Sequence, residues 1–159
     1  MNPIIIIPAR MASIRLPNKP LVDIGGLRMI VHVWKRAVSA LISEVVVACD
    51  SRVIAQAIED AGGKAVLTDP ELPSGSERIY AALCQIDPDK KYDVVVNVQG
   101  DMPTLDPKII RQAVALLENP AVDIGTLAAK LGEGEAEDRA VVKVVCSWQL
   151  AVGSEKKQV

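Results

Sequence analysis

Apolar residues fall along this chain in two patterns. Short unbroken runs, Ile4-Ile5-Ile6-Ile7, Val45-Val46-Val47-Ala48, Ala65-Val66-Leu67 and Val94-Val95-Val96, have no polar alternation. Runs of this kind, rich in β-branched residues, read as strands covered on both faces. Between them the apolar positions recur at helical spacing. Met29, Val33, Ala37 and Leu41, with Ile30 and Trp34 beside them, predict a helix over 29–41. A second helix is expected over 52–61, capped by Asp50-Ser51 and ended by Gly62-Gly63. A third is expected over 79–86, with Ser74 or Ser76 as its N-cap. A fourth covers 106–117, with Asp106 as N-cap, Pro107 at the first helical position, and Ile109, Ile110, Ala113, Leu116 and Leu117 inside. Two more strands are expected over 123–131 and 141–145. Strands alternating with helices describe an α/β protein with a parallel sheet and right-handed crossovers.

The polar punctuation after the strands carries the candidate chemistry. Pro8 is expected to stop the first strand, and the loop that follows holds Arg10, Arg15 and Lys19. Ligands of open α/β sheets bind outside the carboxyl ends of strands. Cations there suit phosphate oxygens, Arg as a rigid fork and Lys as a mobile point charge. The competing reading is a plain basic surface loop; the position directly after a buried strand favours the phosphate site. Asp101 lies just past the fourth run, in Asn97-Val98-Gln99-Gly100-Asp101-Met102-Pro103. There it either holds Mg²⁺ against phosphates or bonds its own turn. The loop Asp69 to Arg78 ends on a helix N-terminus with free N–H groups, which is either a ligand site or only a capped turn. His32 has no chemical partner nearby in sequence and reads as structural. The acidic stretch Gly132 to Asp138 reads as a solvated loop.

Composition removes several classes. The chain has 159 residues, half of them apolar, enough for one domain with a proper core. A net charge of −2 gives no general pull toward nucleic acid or membrane. Phe is absent and aromatics are few, so base-stacking platforms are not expected. Cys49, Cys84 and Cys146 lack metal-ligand spacing and suit a reducing compartment. With neither a leader pattern nor a membrane-length apolar run, a cytoplasmic protein is expected. Walker-type and dinucleotide glycine motifs are missing.

Three segments together resemble one family. Pro8-Ala9-Arg10-x-x-Ser13-x-Arg15-Leu16-Pro17-x-Lys19-Pro20-Leu21, Pro73-Ser74-Gly75-Ser76-Glu77-Arg78 and Val98-Gln99-Gly100-Asp101 are similar to motifs of the sugar-activating nucleotidyltransferases. Within them they resemble the cytidylyltransferases for acidic sugars, nearest to the branch that activates 3-deoxy-D-manno-octulosonate (Kdo). The resemblance implies a three-layer, Rossmann-like nucleotide-diphospho-sugar transferase fold with a mostly parallel sheet. It implies CTP and Kdo as substrates, Mg²⁺ as cofactor, a homodimer, and CMP-Kdo for lipopolysaccharide assembly as product. Catalytic roles fall on Arg10, Lys19 and Asp101, and the metal on Asp101. Nucleotide contacts fall on Ala9, Arg10, Arg15, Lys19, Ser74, Gly75, Arg78 and Gln99. Glu77 and Met102 stand where the family more often has Asp and Glu. The likeness is expected over about 4–145, within a nucleotide-binding domain 1–145, with 146–159 an atypical tail such as a frameshift, truncation or expression product would leave. Family members continue further, into a Tyr-Phe-Ser/Thr-Arg segment, a second metal-binding Asp, and most of the sugar pocket and dimer contacts. Two rival readings remain: a sister enzyme for acylneuraminate or another sugar, and a non-catalytic CTP-binding fragment.

Overall fold

The computed structural model describes residues 1–12 and 16–144. Four strands form one parallel sheet: β1 (Pro3–Ala9), β4 (Val45–Cys49), β5 (Lys64–Leu67) and β6 (Val94–Asn97), in the order β5-β4-β1-β6. A two-stranded hairpin, β2 (Asp23–Ile24) and β3 (Leu27–Arg28), lies outside it. Its turn, Gly25-Gly26, has φ of +61° and +86°, the left-handed pair that a tight two-residue hairpin demands. The helices are α1 (Met29–Val38), α2 (Arg52–Asp60), α3 (Gly75–Ile86) and α4 (Pro107–Ala115).

Topology follows from connection handedness. The chain steps from β1 to β4 to β5 in one direction, through α1 and α2. It then jumps back across β1 to β6 through α3. Right-handed crossovers in opposite directions place their helices on opposite faces. Accordingly, Ile5, Ile7, Val45 and Val47 pack with Ile30, Val33, Ile54, Ile58 and Ile110, from α1, α2 and α4. Ile4, Ile6, Val46 and Ala48 pack with Ile79 and Ala82 of α3. The three-layer expectation is met. The order of strands reverses between β1 and β6, and a crevice opens outside their carboxyl ends.

β1 extends through Pro8 to Ala9, so Pro8 does not stop it. Ile5 donates to Glu44 on the β4 side, and Ile6 accepts from Val98 on the β6 side. Alternation turns the nitrogen of Pro8 the same way as that of Ile6, toward β6, which has already ended at Asn97. The missing donor therefore falls where no ladder partner exists.

At the opposite end of the sheet one carboxylate ties three elements. Glu44 accepts from Lys64 Nζ at 2.9 Å and from Tyr92 Oη at 2.7 Å. These bonds, that of Lys64 first, hold the Glu44 carboxyl below the usual range. The same carboxylate pushes the Tyr92 phenol above its ordinary value. Asp87 is also held low, chiefly by the Tyr92 backbone N–H. The linkage signs are opposite. The lowered Glu44 and Asp87 contribute stability above the unfolded carboxylate pKa of about 4, lost as pH falls through their folded values. The raised Tyr92 contributes stability below about pH 10, lost as pH rises further. Glu44→Gln is expected to lose less of its urea midpoint at both extremes than wild type. Superimposable midpoint–pH profiles for the two proteins would remove Glu44 from this role.

The chain divides into two compact units, Met1–Thr126 and Leu127–Val159. The strand expected over 123–131 is not formed, and Ile124 is 89% exposed. An extended segment becomes a strand only on a ladder partner, and Pro120, Asp123 and Gly125 disfavour pairing. Residues 127–144 form turns and irregular chain, so the strand expected from 141 is also missing among the described residues; Val142 is exposed. Val145 and the tail 146–159 lie outside the described residues. The acidic segment is an exposed series of turns, as expected. Among the described residues no helix is long and apolar enough to cross a membrane.

Candidate active site

The crevice at the β1–β6 switch is a cavity of about 760 Å³. Arg10 follows β1 directly, and Gln99, Gly100 and Asp101 follow β6. Lys19, the first residue of a short 3₁₀ turn (Lys19–Leu21), forms another wall, with Met29 at the start of α1 as an apolar one. Lys19 Nζ donates to Asp101 Oδ2 at 2.6 Å, joining residues 82 positions apart. Both side chains are partly exposed, so the pair adds little to stability. Its significance is placement: a cation and a carboxylate share one lip of the cavity. Arg10 is exposed and has no ion-pair partner among the described residues.

Two backbone features fix this geometry. A Cβ on Gly100 would lie 2.6 Å from the carbonyl oxygen of Pro8, so only glycine lets the loop after β6 pass against β1. The Met11 N–H donates to both carboxylate oxygens of Asp50, at 3.0 and 3.1 Å. Asp50 follows β4, so the neighbouring strand anchors the chain immediately after Arg10.

A smaller chamber of about 160 Å³ adjoins the first and shares Pro8, Ala9, Arg10 and Gln99 with it. Its other wall is the start of α3, with Pro73, Ser74, Gly75 and Arg78. Ser74 caps α3: its hydroxyl oxygen accepts from the Glu77 N–H at 3.1 Å and donates to the Glu77 carboxylate at 2.7 Å. A Cβ on Gly75 would sit 3.4 Å from Pro8, in ordinary contact, so the helix start rests against β1. Arg78 is only 2% exposed, and its Nη2 has no hydrogen-bond partner among the described residues. Arg78 lines the chamber and carries a buried donor with no partner among the described residues, an unmet demand for an acceptor.

The residues singled out from sequence thus converge. Ala9, Arg10, Lys19, Gln99 and Asp101 line the larger cavity, and Ser74, Gly75 and Arg78 complete the smaller one. Arg15 lies outside the described residues. His32 is structural, as expected: its Nε2 donates to the Ile24 carbonyl at 2.7 Å, tying α1 to the hairpin. Sequence reasoning missed the close approach at Gly100, the anchor Asp50 and the buried Thr68 described below. Gly100 carried a signal, being a glycine just past a strand; Asp50 and Thr68 carried none. No group of three or more metal-ligating side chains occurs among the described residues. Asp101 alone fits a hard cation shared with ligand phosphates and water, the usual manner of Mg²⁺.

A doubly crossed parallel sheet with an anion-ready crevice at its switch point defines a nucleotidyltransferase-type α/β protein. The chain belongs to the cytidylyltransferase family, whose family model matches residues 4–157. The chain is 54% identical over 148 residues to a 3-deoxy-manno-octulosonate cytidylyltransferase of Parvibaculum lavamentivorans, covering 92% of this chain and 57% of that protein. It is 57% identical over 145 residues to the same-named protein of Methylorubrum populi, covering 91% and 59%. A solved CMP:2-keto-3-deoxy-manno-octonic acid synthetase complexed with CTP superposes with a TM-score of 0.69 at 37% identity, covering 77% of this chain and 50% of that one. A cytidylyltransferase from Leptospira borgpetersenii gives 0.60 at 27% identity, covering 75% and 50%. The chain therefore spans under three fifths of the length of these relatives.

Proposed function

We propose that this chain forms the CTP site of an enzyme that transfers CMP from CTP to Kdo, releasing pyrophosphate. One observation carries the reading: two cations and a carboxylate, Arg10 after β1, Lys19 in the following 3₁₀ turn and Asp101 after β6, line one cavity. The relatives' names add the substrates. In this reading the triphosphate occupies the larger cavity and the cytosine end of the nucleotide the smaller one. Arg10, Arg15 and Lys19 hold phosphate oxygens and offset charge gathering on the departing pyrophosphate, while the Kdo anomeric hydroxyl attacks the α-phosphorus in line. Ala9, Ser74 and Gly75 shape the nucleotide contact, and Arg78 and Gln99 offer polar groups to it. Asp101 would hold Mg²⁺, which when bound supplies charge neutralisation at the phosphates. Lys19 then exchanges Asp101 for phosphate. Transfer of this kind relies on positioning and charge, which is what these residues provide. A cytoplasmic setting, where CTP is found, suits the reaction.

Two substitutions test the site. Lys19→Ala is expected to weaken CTP binding by about 1–3 kcal/mol, the scale of a lost charge-assisted hydrogen bond. Asp101→Asn is expected to keep the fold and lose most of the Mg²⁺ dependence of CTP binding, because an amide keeps the shape without the charge. Calorimetry with CTP across a Mg²⁺ titration reads both. Unchanged affinity in the first variant, or a full Mg²⁺ effect in the second, removes that residue from the site.

A further inference from the structure

We propose that Thr68 is a positioning residue for the nucleotide, acting through Arg78. The proposal rests on the CTP reading above and names a residue outside the three motifs. Thr68 follows β5 and is only 7% exposed. Its backbone N–H donates to the Cys49 carbonyl at 2.8 Å, and its hydroxyl donates to the same oxygen at 3.1 Å. With its one proton committed, the Thr68 hydroxyl can only accept, and Arg78 Nη1 donates to it. Nη1 also donates to the Asp69 carbonyl at 3.2 Å. Both acceptors therefore act on one guanidinium nitrogen, and Nη2 is left with none.

This division has a consequence for the smaller chamber. A buried guanidinium must satisfy its donors or carry a penalty. By fixing Nη1 between two protein oxygens, Thr68 holds the plane of the group and leaves Nη2 for an acceptor that the described residues do not supply. With the cytosine end of the nucleotide in the smaller chamber, as proposed above, the acceptor for Nη2 is a carbonyl oxygen or ring nitrogen of the base, which inorganic phosphate chains lack. The chain Arg78 to Thr68 to Cys49 also couples this orientation to β4, the strand beside β1. Valine matches threonine in shape without the hydroxyl. In Thr68→Val, Nη1 keeps only the Asp69 carbonyl, the guanidinium is held less firmly, and Nη2 is less well placed for the ligand.

The test uses the whole chain and two probes, CTP and inorganic tripolyphosphate, by calorimetry, with thermal unfolding alongside. Thr68→Val is expected to bind CTP about tenfold more weakly, the effect of one well-placed hydrogen bond to a charged group. Its tripolyphosphate affinity should match wild type, because that probe occupies only the larger cavity. Thr68→Ser, which keeps the hydroxyl, should bind CTP within about threefold of wild type. Should Thr68→Val not fold, Thr68→Ala, which removes the hydroxyl without a methyl facing the guanidinium, carries the same comparison. Equal loss for both probes, no loss for either, or a Thr68→Ser as weak as Thr68→Val overturns the proposal. A wild type that binds CTP no better than tripolyphosphate defeats the nucleotide reading itself, and the role of Thr68 with it. A wild type that prefers CTP beside an unaltered Thr68→Val defeats only the role of Thr68.

Discussion

Given CTP, Mg²⁺ and Kdo, the 159-residue chain is expected to bind nucleotide yet release pyrophosphate far below the ordinary enzyme range of about 1–10³ s⁻¹. Among the described residues, the lining of both cavities falls within Met1–Thr126. The relatives, however, are matched over only 57% and 59% of their lengths. Binding CTP aligns a leaving group; it does not align a nucleophile. Orientation of a bound second reactant is worth about 7–11 kcal/mol of barrier, several times what any one phosphate contact at Arg10 or Lys19 supplies. Around Asp101, the expected Mg²⁺ ligand, there is also no group of three or more metal-ligating side chains among the described residues. A coupled pyrophosphate-release assay, run with calorimetry on the same sample, separates binding from chemistry. Turnover within the ordinary range would overturn the expectation and show that these residues, or a second copy of the chain, complete the sugar site. Absence of CTP binding would instead defeat the reading of the cavities.

The central strands were legible because burial on both faces leaves a run of β-branched residues with no competing pattern. The site was legible for a related reason. Its residues sit in short segments directly after those strands, and an open parallel sheet brings strand ends together. What sequence could not show is distance between segments. Lys19 and Asp101 each read as a ligand for something else, and their mutual contact emerges only when β1 and β6 pair. Arg78 read as a polar contact, but nothing local revealed its burial, which depends on β5 carrying Thr68 past the start of α3. The errors are equally physical. Proline's missing donor makes Pro8 read as a stop, yet its nitrogen faces a side where the β6 ladder has already ended. The stretch 123–131 has enough apolar residues for a strand, and strand formation depends on an edge to join.

Replacing Ile5 by Ala is expected to cost about 2–5 kcal/mol of unfolding free energy, a large share of the roughly 5–15 kcal/mol typical of a domain. Ile5 pairs with Val45 on one side and Val96 on the other, so it is ladder-bound to both neighbouring strands. It has no exposed surface and sits in the cluster that α1, α2 and α4 cover. β-Branched neighbours on flanking strands fill the space poorly, since their χ1 freedom is restricted and the ladder holds their register. The loss therefore includes a cavity as well as the transferred side chain. Ile5→Val removes one methylene and should cost only about 0.5–1.5 kcal/mol. The same strand delivers Ala9 and Arg10 to the crevice, so folding and nucleotide binding are linked. CTP at about a hundred times its dissociation constant should restore about 2.7 kcal/mol to wild type and variant alike. Urea unfolding with and without CTP measures both quantities. A cost for Ile5→Ala no greater than that for Ile5→Val would show that the β1 core collapses around the vacancy. A smaller CTP increment in the variant would show instead that the cavity reaches the site and disturbs Arg10 directly.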